Sequence, residues 1–170
     1  PLKKIDFIVI ASNTSKNFKA FKYFVNHKKP LFMEKPITKN YDSYLELKKL
    51  DKLKLVFVHY QHVYSEPITF LKKKLKKEKL ISLEIDFGKN GPSKKDVNSS
   101  YEWLPHPMSI FYHLIDSNVK LSTKYSNYIN KKKTNFRIYG KINDKILLNI
   151  HSGNNFKKKK YYIKVITNKM

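Results

Sequence analysis

Two short apolar runs, separated by one amphipathic stretch, constrain the fold of this chain more than any other feature of its sequence. Ile5–Ala11 is apolar almost throughout and rich in β-branched residues, the pattern of a strand covered on both faces. Phe18, Phe21, Phe24 and Val25 then recur at helical spacing. Thr14 or Ser15 is placed to cap that helix, His27, Lys28 and Lys29 suit its C-terminus, and Pro30 stops it. Leu31–Met33 forms a second strand and runs into Glu34-Lys35-Pro36. The spacing predicts a second helix, capped by Thr38 or Asn40, with Tyr41, Tyr44, Leu45 and Leu50 on one face. A third buried strand follows over Leu53–His59. Such alternation implies right-handed crossovers and a parallel sheet.

Ligands of open parallel sheets bind outside the carboxyl ends of the strands. The turns Ala11–Thr14 and Glu34–Pro36 both lie at such ends. A lysine there can exchange a proton with a substrate hydroxyl. Lys35 is the first candidate, with Glu34 offered as a polar partner and Pro36 fixing the backbone after it.

The pattern changes after about residue 62. Ser65-Glu-Pro opens a helix with Ile68, Leu71 and Leu75 inward, and Leu80–Phe87 reads as a strand. A polar loop over Gly88–Ser100 and a helix over Pro105–Ile115 follow. From Lys120 onward strands are expected at 120–130, 135–142, 145–151 and 160–167, with turn signals at Gly140-Lys-Ile-Asn-Asp and Ser152-Gly-Asn-Asn. This half reads as an antiparallel sheet with helices on one face.

A net charge of +23 and a pI near 9.9 raise the question of a polyanionic partner. Of the 36 cationic residues only Arg137 is arginine, the side chain preferred for bidentate phosphate and base recognition. The abundant Lys, Asn, Ile, Tyr and Phe share A/T-rich codons, so genome bias accounts for the charge. The Lys131–Lys133 and Lys157–Lys160 runs fall at turns or strand starts and read as solvated. The aromatic residues sit at core spacing. These features count against a nucleic-acid partner. With no cysteine, disulfides and thiolate metal sites are excluded. No apolar run approaches the ~20 residues a bilayer span needs, and the first run is short and holds Asp6, unlike a signal peptide. A cytoplasmic protein, with no membrane partner, is expected. The start at Pro1, almost directly in a strand, suggests an incomplete sequence.

A second group of candidates lies in Tyr101–Ser109. His106 stands between Pro105 and Pro107 at an expected helix start, on a stiff backbone, and histidine is the commonest general acid/base. Glu102, four residues earlier, could orient it or share the proton transfer, and His113 is expected to pack beside Ile110 and Leu114. His59-Tyr-Gln-His62 adds a polar cluster at the third strand's end. A metal site built from His59, His62 and His106 matches no zinc spacing, and no metal is expected.

Together, Asp6-Phe-Ile-Val-Ile-Ala-Ser-Asn-Thr14, then Glu34-Lys35-Pro36-Ile37, then Glu102-Trp-Leu-Pro-His106-Pro resemble the glucose-fructose oxidoreductase / inositol dehydrogenase / MocA (Gfo/Idh/MocA) family. The resemblance implies an α/β fold: the C-terminal half of a Rossmann parallel sheet over residues 1–62, then an α+β domain with a mainly antiparallel sheet over 63–170. It implies NAD or NADP as cofactor, and hydride transfer to or from a sugar, polyol or nucleotide-sugar carbinol. Lys35 matches the catalytic lysine, His106 the catalytic histidine, and Glu102 stands where an aspartate is usual. Ala11, Ser12, Asn13, Thr14, Glu34, Lys35 and Pro36 would bind the cofactor, and Gln61, His62, Trp103 and His106 would contact a sugar-like substrate. A homo-oligomer formed through the C-terminal sheet is a further implication. Departures exist. The Gly-x-Gly-x-x-Gly fingerprint of the first strand–helix turn is absent, the first glycine being Gly88. Asn13 replaces a proline, Asn17 stands near a common histidine, and Leu104 and Pro107 replace a glycine and an aspartate. The 170-residue chain alone is therefore expected to show no dehydrogenase turnover. A non-catalytic binding or scaffold protein of the same fold is the alternative, and a lysine-rich nucleic-acid binder a more distant one.

Overall fold

The computed structural model describes residues 4–52, 54–92, 97–115, 119–130 and 133–169. Leu53, residues 93–96 of the expected polar loop, and Lys131 and Lys132 of the first lysine run lie outside the described residues. The chain divides into two units: Pro1–Tyr60 with Lys94–Glu102, and Gln61–Ser93 with Trp103–Met170.

In the first unit, β1 (Ile8–Ile10), β2 (Leu31–Glu34) and β3 (Val56–His59) form a parallel sheet in that order, with Ile8 opposite Leu31 and Leu31 opposite Val56. Helices α1 (Thr14–Phe24) and α2 (Tyr41–Leu50) supply the crossovers. Ile8, Ile10, Leu31 and Met33 meet Phe21 of α1 and Leu47 of α2 in one core. Alternate strand residues point to opposite faces, and here the second face is open. Phe7, Val9, Phe32 and Phe57 are exposed, so β1 and β3 are not covered on both faces as the apolar runs suggested.

Local details correct other expectations. Asn13, not Thr14 or Ser15, stands at the cap position of α1, and its side chain makes no capping bond. Asn40 does cap α2, its side chain accepting from the Ser43 N–H at 2.9 Å. A ten-residue helix lying on a three-stranded sheet offers one narrow stripe. That stripe is Leu47, while Tyr41, Tyr44, Leu45 and Leu50 are exposed.

In the second unit, α3 (Glu66–Leu75), β4 (Leu80–Asn90), α5 (Pro105–Leu114), β5 (Leu121–Asn130), β6 (Lys133–Ile142), β7 (Ile146–Gly153) and β8 (Asn155–Thr167) build a five-stranded sheet ordered β5-β6-β7-β4-β8, with helices. The pairs β5–β6, β6–β7 and β4–β8 are antiparallel, while β4–β7 is parallel. One face buries Leu83, Ile85 and Phe87 of β4 with Leu148 and Ile150 of β7. Ile68 of α3 is buried, as are Ile110, Phe111 and Leu114 of α5. Close approach explains Gly88: a Cβ there would lie 2.3 Å from the Phe156 ring and 2.5 Å from the Gly153 carbonyl oxygen.

The expected loop from Gly88 is shorter than the sequence suggested, because β4 runs on to Asn90 and a one-turn helix, α4 (Ser99–Trp103), precedes α5. Lys157–Lys160 lie inside β8, exposed, since that strand starts at Asn155 directly after the bend at Asn154. The expectation that the aromatics are core is also corrected. Phe7, Phe32, Phe57, Tyr64, Tyr125, Tyr128, Tyr161 and Tyr162 are all exposed.

Candidate active site

In the first unit, the carboxyl ends of β1 and β2 are tied together by a single side chain. Asn17, in the first turn of α1, is 1% exposed. Its carbonyl oxygen accepts from the Ser12 N–H at 3.2 Å and the Ser12 hydroxyl at 2.8 Å. Its amide nitrogen donates to the Glu34 carbonyl at 3.2 Å and the Pro36 carbonyl at 3.1 Å. Ala11, Ser12 and Asn13 are exposed at this edge, Thr14 and Pro36 are buried, and the Lys35–Pro36 peptide is cis.

Lys35 is half-buried, and its Nζ donates to the Glu102 backbone carbonyl at 2.9 Å. Glu102 is itself buried. Glu34, opposite His59 in the β2–β3 register, pairs with it through Nδ1 and Oε1 at 2.5 Å. This edge therefore gathers small exposed residues, one held amine and one carboxylate–imidazole pair.

In the second unit, the sequence-predicted His62 and His106 come together. Their ring centroids lie 5.0 Å apart, nearly perpendicular. His106 stacks on Phe87 at 4.8 Å, and Phe87 stacks on Tyr161 at 4.4 Å. Gln61 is exposed, with its amide nitrogen 3.5 Å from His62 Nε2. Trp103 is buried, its carbonyl accepting from the Ser152 hydroxyl at 3.2 Å and Lys89 lying 5.9 Å over its ring. That burial makes Trp103 a packing residue within its unit. The pKa of His113 is lowered by burial and, secondarily, by Lys72, so it stays neutral at a lower pH than an ordinary histidine. Among the described residues no group of three or more His, Cys, Asp or Glu could hold a metal ion, and no helix is long and apolar enough to cross a membrane.

Sequence reasoning treated Asn17 only as a departure from a pattern and did not single out Phe87 or Tyr161. A polar residue beside the apolar stripe of α1 was the available signal for Asn17. The pairing of Phe87 with Tyr161 depends on the β4–β8 register, which local sequence does not encode.

Residues 1–62 match the family model described as the oxidoreductase family with an NAD-binding Rossmann fold, GFO_IDH_MocA. Over those residues the chain is similar to the Rossmann domain of that family. That family binds NAD, in line with the expected cofactor. The fold extends over the rest of the chain. A dehydrogenase from Chromobacterium violaceum superposes with a TM-score of 0.83 at 13% identity, over 98% of this chain and 53% of its own. A UDP-N-acetylglucosamine 3-dehydrogenase from Acidithiobacillus ferrooxidans gives 0.79 at 13% identity, over 98% and 56%. A myo-inositol dehydrogenase from Corynebacterium glutamicum gives 0.77 at 16% identity, over 97% and 55%. The chain spans about half the length of these solved structures, and at such identities the likeness is one of fold. No curated protein matches the chain.

Proposed function

We propose that this chain is the nicotinamide-side and substrate-side portion of an NAD(P)-dependent oxidoreductase acting on a carbinol carbon of a sugar, polyol or nucleotide sugar. The observation that carries this reading is Lys35, held at 2.9 Å by the Glu102 carbonyl at the carboxyl edge of a parallel sheet. The substrate class is supported by the relatives named for myo-inositol and UDP-N-acetylglucosamine.

The residues present fit one half of a dinucleotide. Ala11, Ser12 and Asn13 leave an exposed edge of short side chains beside Glu34 and Pro36, suited to a ribose and a nicotinamide ring. The three-glycine turn that a pyrophosphate approaches has no counterpart before Gly88. When bound, the nicotinamide supplies the carbon that accepts or gives hydride.

The chain's own residues handle the proton. As a carbinol is oxidised, its hydroxyl proton passes to the deprotonated, neutral form of the Lys35 amine or to the neutral His106 imidazole. Glu102 acts on Lys35 through its main-chain carbonyl, which fixes where the amine sits. Phe87 and His62 limit the tilt of the His106 ring. Gln61 and His62 offer polar contacts to substrate hydroxyls.

A turnover assay tests the reading. The chain, joined to a Gly-x-Gly-x-x-Gly strand–helix unit from a relative, is assayed for nicotinamide reduction with myo-inositol and with UDP-N-acetylglucosamine. Turnover that Lys35→Met reduces by roughly 10²–10⁴-fold is expected. Turnover indifferent to Lys35→Met and to His106→Leu would remove both residues from the chemistry.

A further inference from the structure

We infer that Asn17 is the positioning residue of the Lys35 corner: its amide locks both peptide segments flanking Lys35 to the turn after β1, and so sets the reach of the lysine amine. The role in catalysis rests on the reading of Lys35 given above, while the clamp itself does not.

A side-chain amide has two donor hydrogens and an oxygen that accepts twice. Asn17 uses all four positions. Both acceptor positions go to Ser12, and the donors go one each to the Glu34 and Pro36 carbonyls. The Glu34 carbonyl belongs to the peptide that enters Lys35, and the Pro36 carbonyl lies just beyond the peptide that leaves it. Fixing both leaves Lys35 only its side-chain torsions, which carry Nζ to the Glu102 carbonyl. The burial of Asn17 raises the cost of leaving its amide unpaired.

The chemistry demanded is narrow. Aspartate offers no donor to two carbonyls, and a neutral imidazole offers one donor and one acceptor. Serine is too short to reach both turns. A residue present only to fill the core would need none of this, and the neighbouring buried position of α1 is indeed Phe21.

The test reads the Lys35 ammonium directly, with no cofactor or substrate present, so its failure is separate from a failure of the oxidoreductase reading. In the ¹⁵N-labelled chain, the Nζ resonance of Lys35 is assigned by its loss in Lys35→Arg and its hydrogen exchange is measured. The parent is expected to show a protected ammonium. Asn17→Ser should speed its exchange by about tenfold, the loss of one hydrogen bond's protection. Asn17→His, keeping one donor and one acceptor, and Ser12→Ala, removing only the hydroxyl contact, should each speed it less. If Asn17→Ser does not fold, the other two variants decide. A Lys35 ammonium that exchanges like the surface lysines in the parent overturns the inference. So does one whose protection is unchanged in the folded variants.

Discussion

Among the described residues each of the two sheets has one face that carries exposed side chains, and the two faces differ in kind. On the three-stranded parallel sheet, Phe7, Val9, Phe32 and Phe57 form an apolar strip, with Phe7–Phe32 ring centroids 5.4 Å apart and Phe32–Phe57 stacked at 5.3 Å. On the five-stranded sheet, the face opposite Leu83, Ile85 and Phe87 carries Glu84, Asp86, Arg137, His151 and Lys164. Asp86 is buried there and ion-paired with Lys160. Parallel sheets occur almost only with both faces covered, whereas sheets with antiparallel pairing tolerate water on one side. The first face departs from that rule, exposing apolar side chains where such sheets usually carry a second layer. The second meets water through charges, and its buried carboxylate, Asp86, is paired with the Lys160 ammonium.

The largest effect is expected in the core beneath the apolar strip. Phe21→Ala should destabilise the first unit by about 3–5 kcal/mol, read as lost amide-exchange protection across β1, β2 and β3. Next comes Asn40→Ala, which removes the α2 cap and should cost about 1 kcal/mol, read in a denaturant titration. A smaller change in stability, within about 0.5 kcal/mol, is expected for Phe32→Thr with Phe57→Thr. That pair should nonetheless sharply reduce binding of an apolar dye, while Tyr139→Thr on the charged face leaves dye binding unchanged.

Acidification probes the charged face. His151 has its pKa lowered, first by burial, then by Arg137 and Lys160, with Asp86 opposing. The folded state therefore favours neutral His151. Its contribution to stability is complete above the ordinary histidine range and falls as pH drops below about 6.5. His151→Gln should flatten that part of the stability–pH curve. An unchanged slope would mean that His151 is not the group responsible.

Much of the first unit was legible because its signals are local. Pro30, the apolar run at Leu31 and Asn40 before Tyr41 mark boundaries by steric and hydrogen-bonding rules that act within a few residues. Both candidate turns and the Glu34-Lys35-Pro36 corner could be placed from strand order alone. What the sequence hid was which face of each strand finds a neighbour. Ile5–Ala11 looks doubly buried because phenylalanine and valine alternate with isoleucine, and hydropathy does not distinguish a covered face from an uncovered one. Nor did spacing show that Lys35 would reach the main-chain carbonyl of Glu102, 67 residues later, or that Asn17 would join two turns. Those contacts depend on crossover geometry. The parallel β4–β7 pair was hidden for the same reason, since strand direction follows from how the chain returns rather than from composition.

The central claim is that the carboxyl edge holding Ser12, Asn17 and Lys35 receives the nicotinamide half of a dinucleotide. Backbone amide shifts of the chain, titrated in parallel with nicotinamide mononucleotide and with adenosine monophosphate, test it most directly. The account predicts shifts confined to Ala11–Thr14 and Glu34–Pro36 with the nicotinamide nucleotide, and none there with the adenine nucleotide. Equal shifts with both, or shifts on the lysine-rich surface alone, would contradict it.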